Sequence, residues 1–486
     1  MTDPTSSAPV VDGLDDLYAE SEHWQVNDGG ETIHAKRLPG RWRRIKWWAA
    51  SVWLIFFLGP YVRWNGGQAV LFDIPNRQYH LFGATVLPQD FWMLSLLLLF
   101  FAILLAVATA LAGRVYCGFF CFQTVWTDIF TLIEEWLEGN PRERRLLERA
   151  PWTPRKLGIK SVKHLLWMLI GFATGWSFVA WFYGVFPLWR DFFTAQANGA
   201  VYAFVALFTV GTYVLAGWLR EQVCFWLCPY ARIQGVMLDR TTLVPAYDLL
   251  RGEPRGRLHK GADARSDAGL DAGAQKQGDC IDCNQCVAVC PTGIDIRAGQ
   301  QEGCITCALC IDACDQVMDK VNRPRGLIRY ASLDEIEGRG AKALLKRVRV
   351  WVYFAILALS LVGIVYGFST LTNIELKVLH ERSPLFVQLS DGSIQNKYTL
   401  KVLNKANDDL TAEVAVRADV PIEVKGIEHR LRIKHGEVTP MIVFVRIEPE
   451  HLTGETIPIF FSARATLANG TEATAERESA FFAERR

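Results

Sequence analysis

The sequence predicts a multidomain membrane protein: an α-helical transmembrane bundle of about five spans, a small α+β module inserted before the last span, and an all-β sandwich at the C-terminus. Three observations predict it. Half of the 486 residues are hydrophobic, 17 Trp and 28 Phe among them, and the apolar residues gather in long stretches. Eight of the 12 cysteines crowd between positions 280 and 314. After residue 373 apolar and polar residues alternate. A formal net charge of +1, with no basic arm or nucleic-acid motif, excludes nucleic acid as a partner.

Residues 1–36 open with "MTDPTSSAPVVDGLDDLYAESEHW", which is acidic and lacks the apolar core of a signal peptide. A disordered lead is expected there. The transmembrane region follows over 37–251. A spanning helix takes about 20 apolar residues, a length met or nearly met at 45–63, 91–113, 163–187 and 199–219, and again at 350–372. Lys36, Arg37, Arg41, Arg43, Arg44 and Lys46 precede the first stretch, and a second basic cluster from Arg142 to Lys163 separates the second from the third. The intervening loops carry little beyond Arg63, Arg77 and Arg190. Cationic loops stay on the cytoplasmic side, so the N-terminus and residues 220–349 are expected inside and the C-terminal domain outside. No span has Asp, Glu or Lys at its centre, which argues against ion transport. His164, at a span edge, reads as an interfacial helix cap, and opposed histidines for axial haem are missing.

All 12 cysteines fall on the predicted cytoplasmic side or its membrane edge, the opposite of a secreted disulfide scaffold. "CIDCNQCVAVCPTGIDIRAGQQEGCITCALCIDAC" repeats C-x2-C-x2-C-x3-C, the spacing of a bacterial two-cluster ferredoxin in which the fourth cysteine of each run serves the other cluster. Cys280, Cys283, Cys286 and Cys314 are therefore expected to hold one [4Fe-4S] cluster, and Cys304, Cys307, Cys310 and Cys290 the other. Zinc needs only four ligands per site and does not call for this interlocked register. Asp315, where an ordinary ferredoxin has a second proline, reads as a helix cap.

The remaining cysteines form two matching pairs, Cys117 with Cys121 in "RVYCGFFCFQTVW" and Cys224 with Cys228 in "QVCFWLCPYARIQG". At i, i+4 on a helix both sulfurs share a face, and each pair closes a span on the same side. Four converging soft thiolates suit copper(I), zinc or a further iron-sulfur centre. Pro229 is expected to interrupt the helix after Cys228.

Residues 252–278 read as a flexible linker, 279–326 as the ferredoxin module, and 327–372 as a juxtamembrane segment and the fifth span. Within 373–486, short alternating segments such as "KYTLKVLN" and "MIVFVRIE", separated by turns such as "SDGS", predict an immunoglobulin-like sandwich. His380, His429, His435 and His451 are scattered through it and form no evident metal site. "FGATV" at 82–86 reads as loop.

With those motifs in view, the chain resembles the FixG/CcoG family, accessory proteins of cbb(3)-type cytochrome c oxidase. The resemblance rests on "REQVCFWLCPYARIQGVMLDR", "YCGFFCFQTVWT", the double cysteine run followed by "DQVMDKVNRPRGLIRY", and the C-terminal domain. It departs at Phe122, where the family has proline after the second cysteine of the pair. The resemblance implies a bacterial inner-membrane protein, with the C-terminal domain periplasmic, that matures a haem-copper oxidase by reducing copper(II) to copper(I). Cys280 to Cys314 would then carry electrons, and Cys117, Cys121, Cys224 and Cys228 would bind or reduce copper as the catalytic groups. Oxidase assembly factors or a copper chaperone are the implied partners, with an electron donor left unnamed and a homo-oligomer left open. Two alternatives remain: a quinol-linked electron conduit to a respiratory acceptor, and a non-catalytic assembly scaffold.

Overall fold

The computed structural model describes Tyr18 and residues 33–258, 277–340 and 347–483, with short breaks at 65, 76–77, 83, 87–90, 371, 407–408, 428–429, 435–437, 453 and 468–469. Most of the expected N-terminal lead, residues 259–276 of the linker, and His429 and His435 lie outside the described residues. Two compact units emerge. The first comprises Met1–Phe57, Leu98–Val179 and Ala197–Leu361, the second Leu58–Leu97, Ala180–Gln196 and Val362–Arg486.

Among the described residues four helices are long and apolar enough to cross a membrane: Trp92–Ala112, Pro154–Tyr183, Gly199–Leu219 and Val348–Ser369. The stretch expected at 45–63 is instead two short helices, Arg41–Ala50 and Trp53–Leu58, joined by a turn and stopped by Gly59 and Pro60. The Pro154–Tyr183 helix starts well before residue 163, because Thr153 accepts the Lys156 N–H and Pro154 supplies a pre-set first turn. His164 is consequently inside the helix and caps nothing. Its Nδ1 lies 3.0 Å from the Tyr213 hydroxyl and its ring stacks on Trp218. Gly171 and Gly175, four apart, let this helix close on its neighbour: a Cβ at either would stand 2.7 Å from the Thr209 carbonyl oxygen or 2.6 Å from that of Val205.

The cysteine-rich module belongs wholly to the first unit. Its two helices, Gln285–Ala288 and Leu309–Lys320, each begin one residue before the third cysteine of their run, and its sheet is built from chain on both sides of the cysteine run. Val244–Tyr247 pairs antiparallel with Ile328–Ala331, which ties the span-side approach to the exit segment. Residues near the linker ends join in. Gly256 N–H donates to the Cys280 carbonyl, and Tyr18 donates its hydroxyl to the Ile281 carbonyl.

In the second unit, Val70–Asp73, Gln78–Leu81 and Ala84–Val86 make a small antiparallel sheet, so the end of "FGATV" is strand, not loop. The C-terminal domain has two antiparallel sheets. One orders Glu423–Lys425, Val438–Ile447, Ile394–Asn404 and Ile374–His380, with Val387–Gln388 also on Ile394–Asn404; the other orders Leu431–Ile433, Leu410–Ala418, Thr456–Thr466 and Glu472–Phe482. Period-two alternation sends Leu376, Tyr398, Leu400 and Val402 from the first, and Ala412, Val414, Ile459 and Phe461 from the second, into one shared core. His380 packs its ring on Tyr398 and Phe482 at this core's edge.

Candidate metal centre

The two cysteine runs fold as near copies. Asp282 and Asn284 in the first, and Thr306 and Ala308 in the second, take left-handed backbone conformations with φ of 55°, 53°, 52° and 60°. These kinks curl each loop and turn amide N–H groups onto sulfur: Gln285 toward Cys283, Thr306 toward Cys304, Leu309 toward Cys307. Two cavities result. One is lined by Cys280, Cys283, Cys286 and Cys314, the other by Cys290, Cys304, Cys307 and Cys310, with Cys286 lining both.

These cradles fit a thiolate-ligated cubane: four sulfurs, converging N–H donors and apolar walls from Ile281, Ile296, Ile305 and Val317. Burial pushes the Cys304 thiol up to about 12 and Cys307 to about 11, and it drives Cys286 and Cys310 well above their ordinary range. Thiols so placed give up their protons to a metal, not to water. Among the described residues no three or more His, Cys, Asp or Glu are grouped to hold a single metal ion. A cubane, with its own iron and sulfide between the ligands, spaces thiolates more widely than one ion does.

The span-end pairs also repeat each other, although not as one helix face each. Cys117 lies in the short helix Val115–Phe119, but Cys121 is extended (ψ 127°) and starts the next helix, Phe122–Glu138. Cys224 lies in a widened π-type turn, Val223–Leu227, and Cys228 (ψ 107°) starts Pro229–Met237. Pro229 holds the first helical position as expected. Phe122 holds it in the other pair and the chain breaks there all the same, because that position's N–H has no intrahelical partner in any case. Burial, followed by the neighbouring thiols, raises Cys117 and Cys224 to about 12, and both feel Cys121 and Cys228.

Both pairs rest on one loop, Glu302–Cys307. A Cβ at Gly118 would stand 2.6 Å from the Ile305 oxygen and 2.9 Å from Cys307 Cα, so the Cys117 turn lies against the backbone that carries two cysteines of the second cradle. The Phe225 ring covers Gly303 just as closely. Arg114, 5% exposed, donates to the carbonyls of Glu302 and Ala231 and thereby joins the first pair, the loop and the helix after the second pair. Cys117 Sγ donates to Gln234 Oε1 (3.0 Å), and Gln234 donates to Thr109. Gln123 donates to the carbonyls of Leu215, inside the widened segment Tyr213–Leu219, and of Arg220 just after it.

Sequence reasoning missed Arg114, Gly118, Gln123 and Gln234. The glycine in "CGFFC" was the one available signal. Lys46, Arg144 and Lys163, from the basic clusters that orient the chain, are buried, and so is Arg220. Asp128 binds Lys46 at 3.0 Å and Arg37 at 3.1 Å. Glu134 receives Arg220 at 2.6 Å, Lys163 at 3.3 Å and Arg144 at 3.4 Å. Burial alone would raise Glu134, but those three cations outweigh it and hold the carboxyl at about 2. Asp315 accepts the Gly326 N–H, which closes the loop after the helix it was expected to cap.

Known proteins share these parts. A 4Fe-4S dicluster domain matches residues 219–333, a 4Fe-4S binding domain residues 94–142, and the IG-like fold at the C-terminal of FixG residues 364–484. The chain is 41% identical over 411 residues to protein RdxB of Cereibacter sphaeroides, covering 82% of this chain and 84% of that one. It is 38% identical over 459 residues to the nitrogen fixation protein FixG of Rhizobium meliloti, covering 85% and 86%. With protein RdxA of Cereibacter sphaeroides the identity is 40% over 397 residues, covering 79% and 82%.

Proposed function

This chain belongs to the FixG family of membrane iron-sulfur electron-transfer proteins, and from that premise we propose that single electrons pass through its module to the span-end thiols and there reduce copper(II) to copper(I) for a cbb(3)-type oxidase. The observation that carries the reading is the common seat of both cysteine pairs on Glu302–Cys307, next to the second cradle. When bound, [4Fe-4S] clusters supply one-electron carriage. Cys280, Cys283, Cys286 and Cys314 hold one, and Cys290, Cys304, Cys307 and Cys310 the other. Gly118 and Phe225 keep the path short, Arg114 fixes its geometry, and Gln234 orients the Cys117 thiol. Each copper(II) ion takes one electron, and the thiols that receive it release their protons because soft sulfur prefers the reduced ion.

The basic-residue bias supports a cytoplasmic module and a periplasmic C-terminal domain. The grouping of residues 58–97 and 180–196 with that domain, while every cysteine belongs to the other unit, supports it further. An oxidase assembly factor or copper chaperone is the natural acceptor of the reduced ion. The test is anaerobic: protein reduced with a low-potential reductant, separated from it, and mixed with copper(II) and a copper(I)-specific chromophoric chelator. One copper should be reduced per electron stored. Cys224→Ala and Cys228→Ala should abolish this with both module clusters intact; unchanged rates would remove the pair from the mechanism.

One observation favours a second reading. The 4Fe-4S binding domain match over 94–142 contains Cys117 and Cys121. On that reading the four span-end thiols hold a further iron-sulfur centre, and iron and sulfide should exceed the content of two cubanes and fall to it in the Cys117→Ala variant.

A further inference from the structure

The two cysteine runs repeat one spacing, yet opposite charge surrounds them. Behind the second cradle, Val289, Pro291, Ile305 and Leu309 line one cavity together with Arg37, Arg43 and Lys46. Lys46 is 2% exposed. All three cations gather on the single carboxylate of Asp128, at 3.1, 3.8 and 3.0 Å, and Arg37 also reaches Glu135 at 3.1 Å. They are anchored there by the module itself. Asp312, between Cys310 and Cys314, accepts the backbone N–H groups of Trp42 and Arg43 at 2.9 and 3.1 Å and so caps the Arg41–Ala50 helix. Arg114, the fourth cation, bonds neutral carbonyls. Four cations thus face Asp128, Glu135 and Asp312.

The first cradle has the reverse balance. Its lining cation, Arg297, is held by Asp282 at 2.6 Å and Asp295 at 2.8 Å, and Asp315 adjoins Cys314. Lys36, 3.4 Å from Gln285 Oε1, offsets part of this. Arg297 is thus offset by carboxylates of its own loop, whereas Arg43, Lys46 and Arg37 outnumber theirs, in surroundings where screening is weak. Each added electron makes a cluster more negative, so the positive surroundings favour the reduced form.

We infer that Arg43 and Lys46, with Arg37 and Arg114, make the Cys290–Cys304–Cys307–Cys310 site the stronger electron acceptor, so that an electron entering at the Cys280 side runs downhill toward the span-end thiols. The inference rests on the electron-transfer reading above. It gives the basic segment before the first apolar stretch a second task besides orienting the chain, that of biasing electron flow.

An electron paramagnetic resonance redox titration of the full-length protein in detergent tests it. Two one-electron steps are expected. Lys46→Gln and Arg43→Gln should each lower the reduced-to-oxidised ratio of the more positive step about tenfold at a fixed potential, ~59 mV for one electron. Lys46→Arg should restore it, while Arg297→Gln should move the more negative step alone. If Lys46→Gln does not fold, the less buried Arg43→Gln carries the measurement. A shift in the more negative step, or none in either, overturns the inference and leaves the electron-transfer reading standing; protein that is free of iron overturns that reading itself.

Discussion

Replacing Gly118 by alanine probes the contact between the first cysteine pair and the second cradle. The new methyl would stand 2.6 Å from the Ile305 oxygen, 2.9 Å from Cys307 Cα and 3.0 Å from Cys307 N. Ordinary contact begins at 3.4 Å, so the helix end or the loop must retreat by about 0.8 Å. All three neighbours are backbone atoms, in a loop already held by left-handed residues at Thr306 and Ala308, and no rotamer change relieves them. Helix propensity pulls the other way, worth up to about 1 kcal/mol for glycine to alanine. Overpacking costs about 1–3 kcal/mol, so a net loss on the order of 1–2 kcal/mol is expected, concentrated at the Cys290 side. Thermal unfolding followed by cluster absorbance, with the paramagnetic signals read separately, gives the assay. Gly211→Ala, in a helix where an added Cβ meets nothing within 4 Å, is the matched control and should be neutral or stabilising. If Gly118→Ala behaved like Gly211→Ala and left both cluster signals unchanged, the shared seat would be refuted.

Three further substitutions test the same geometry. Glu134→Gln leaves Arg144, Lys163 and Arg220 buried around a neutral group and should cost about 3–5 kcal/mol in urea unfolding. The same carboxyl, held at about 2 in the folded chain against an ordinary 4.5, contributes fully above 4.5 and loses about 3 kcal/mol as pH falls from there through 2. Stability measured against pH should therefore be flatter across that window in Glu134→Gln. Asp312→Ala removes the cap of Arg41–Ala50, for a loss of about 1 kcal/mol and faster amide exchange at Trp42 and Arg43. Phe122→Pro loses ring contacts with Trp126 and Trp53, about 1 kcal/mol, but keeps the extended Cys121, so cluster spectra and copper reduction should be unchanged.

Composition and spacing alone made much of this chain legible. Apolar runs of spanning length announce themselves because lipid leaves no other way to satisfy a backbone, and "FWMLSLLLLFFAILLAVATALA" is helix over Phe91–Ala112. Cysteine spacing was informative too: the interlocked register assigned four sulfurs to each of two sites, and the structure gathers the eight around two cavities, with Cys286 lining both. Period-two alternation marked the C-terminal strands.

Tertiary structure decided what lies between these parts. Arg114, Gly118 and Phe225 matter through backbone groups and a loop far away in sequence, and no local pattern encodes such a partner. That Lys46 is a buried, paired charge depends on Asp128, which a helix beyond the next span brings to it. Short-range periodicity reports how a segment sits in water or lipid, whereas the electrostatics of a redox site sum over every segment packed around it, and that sum exists only after folding.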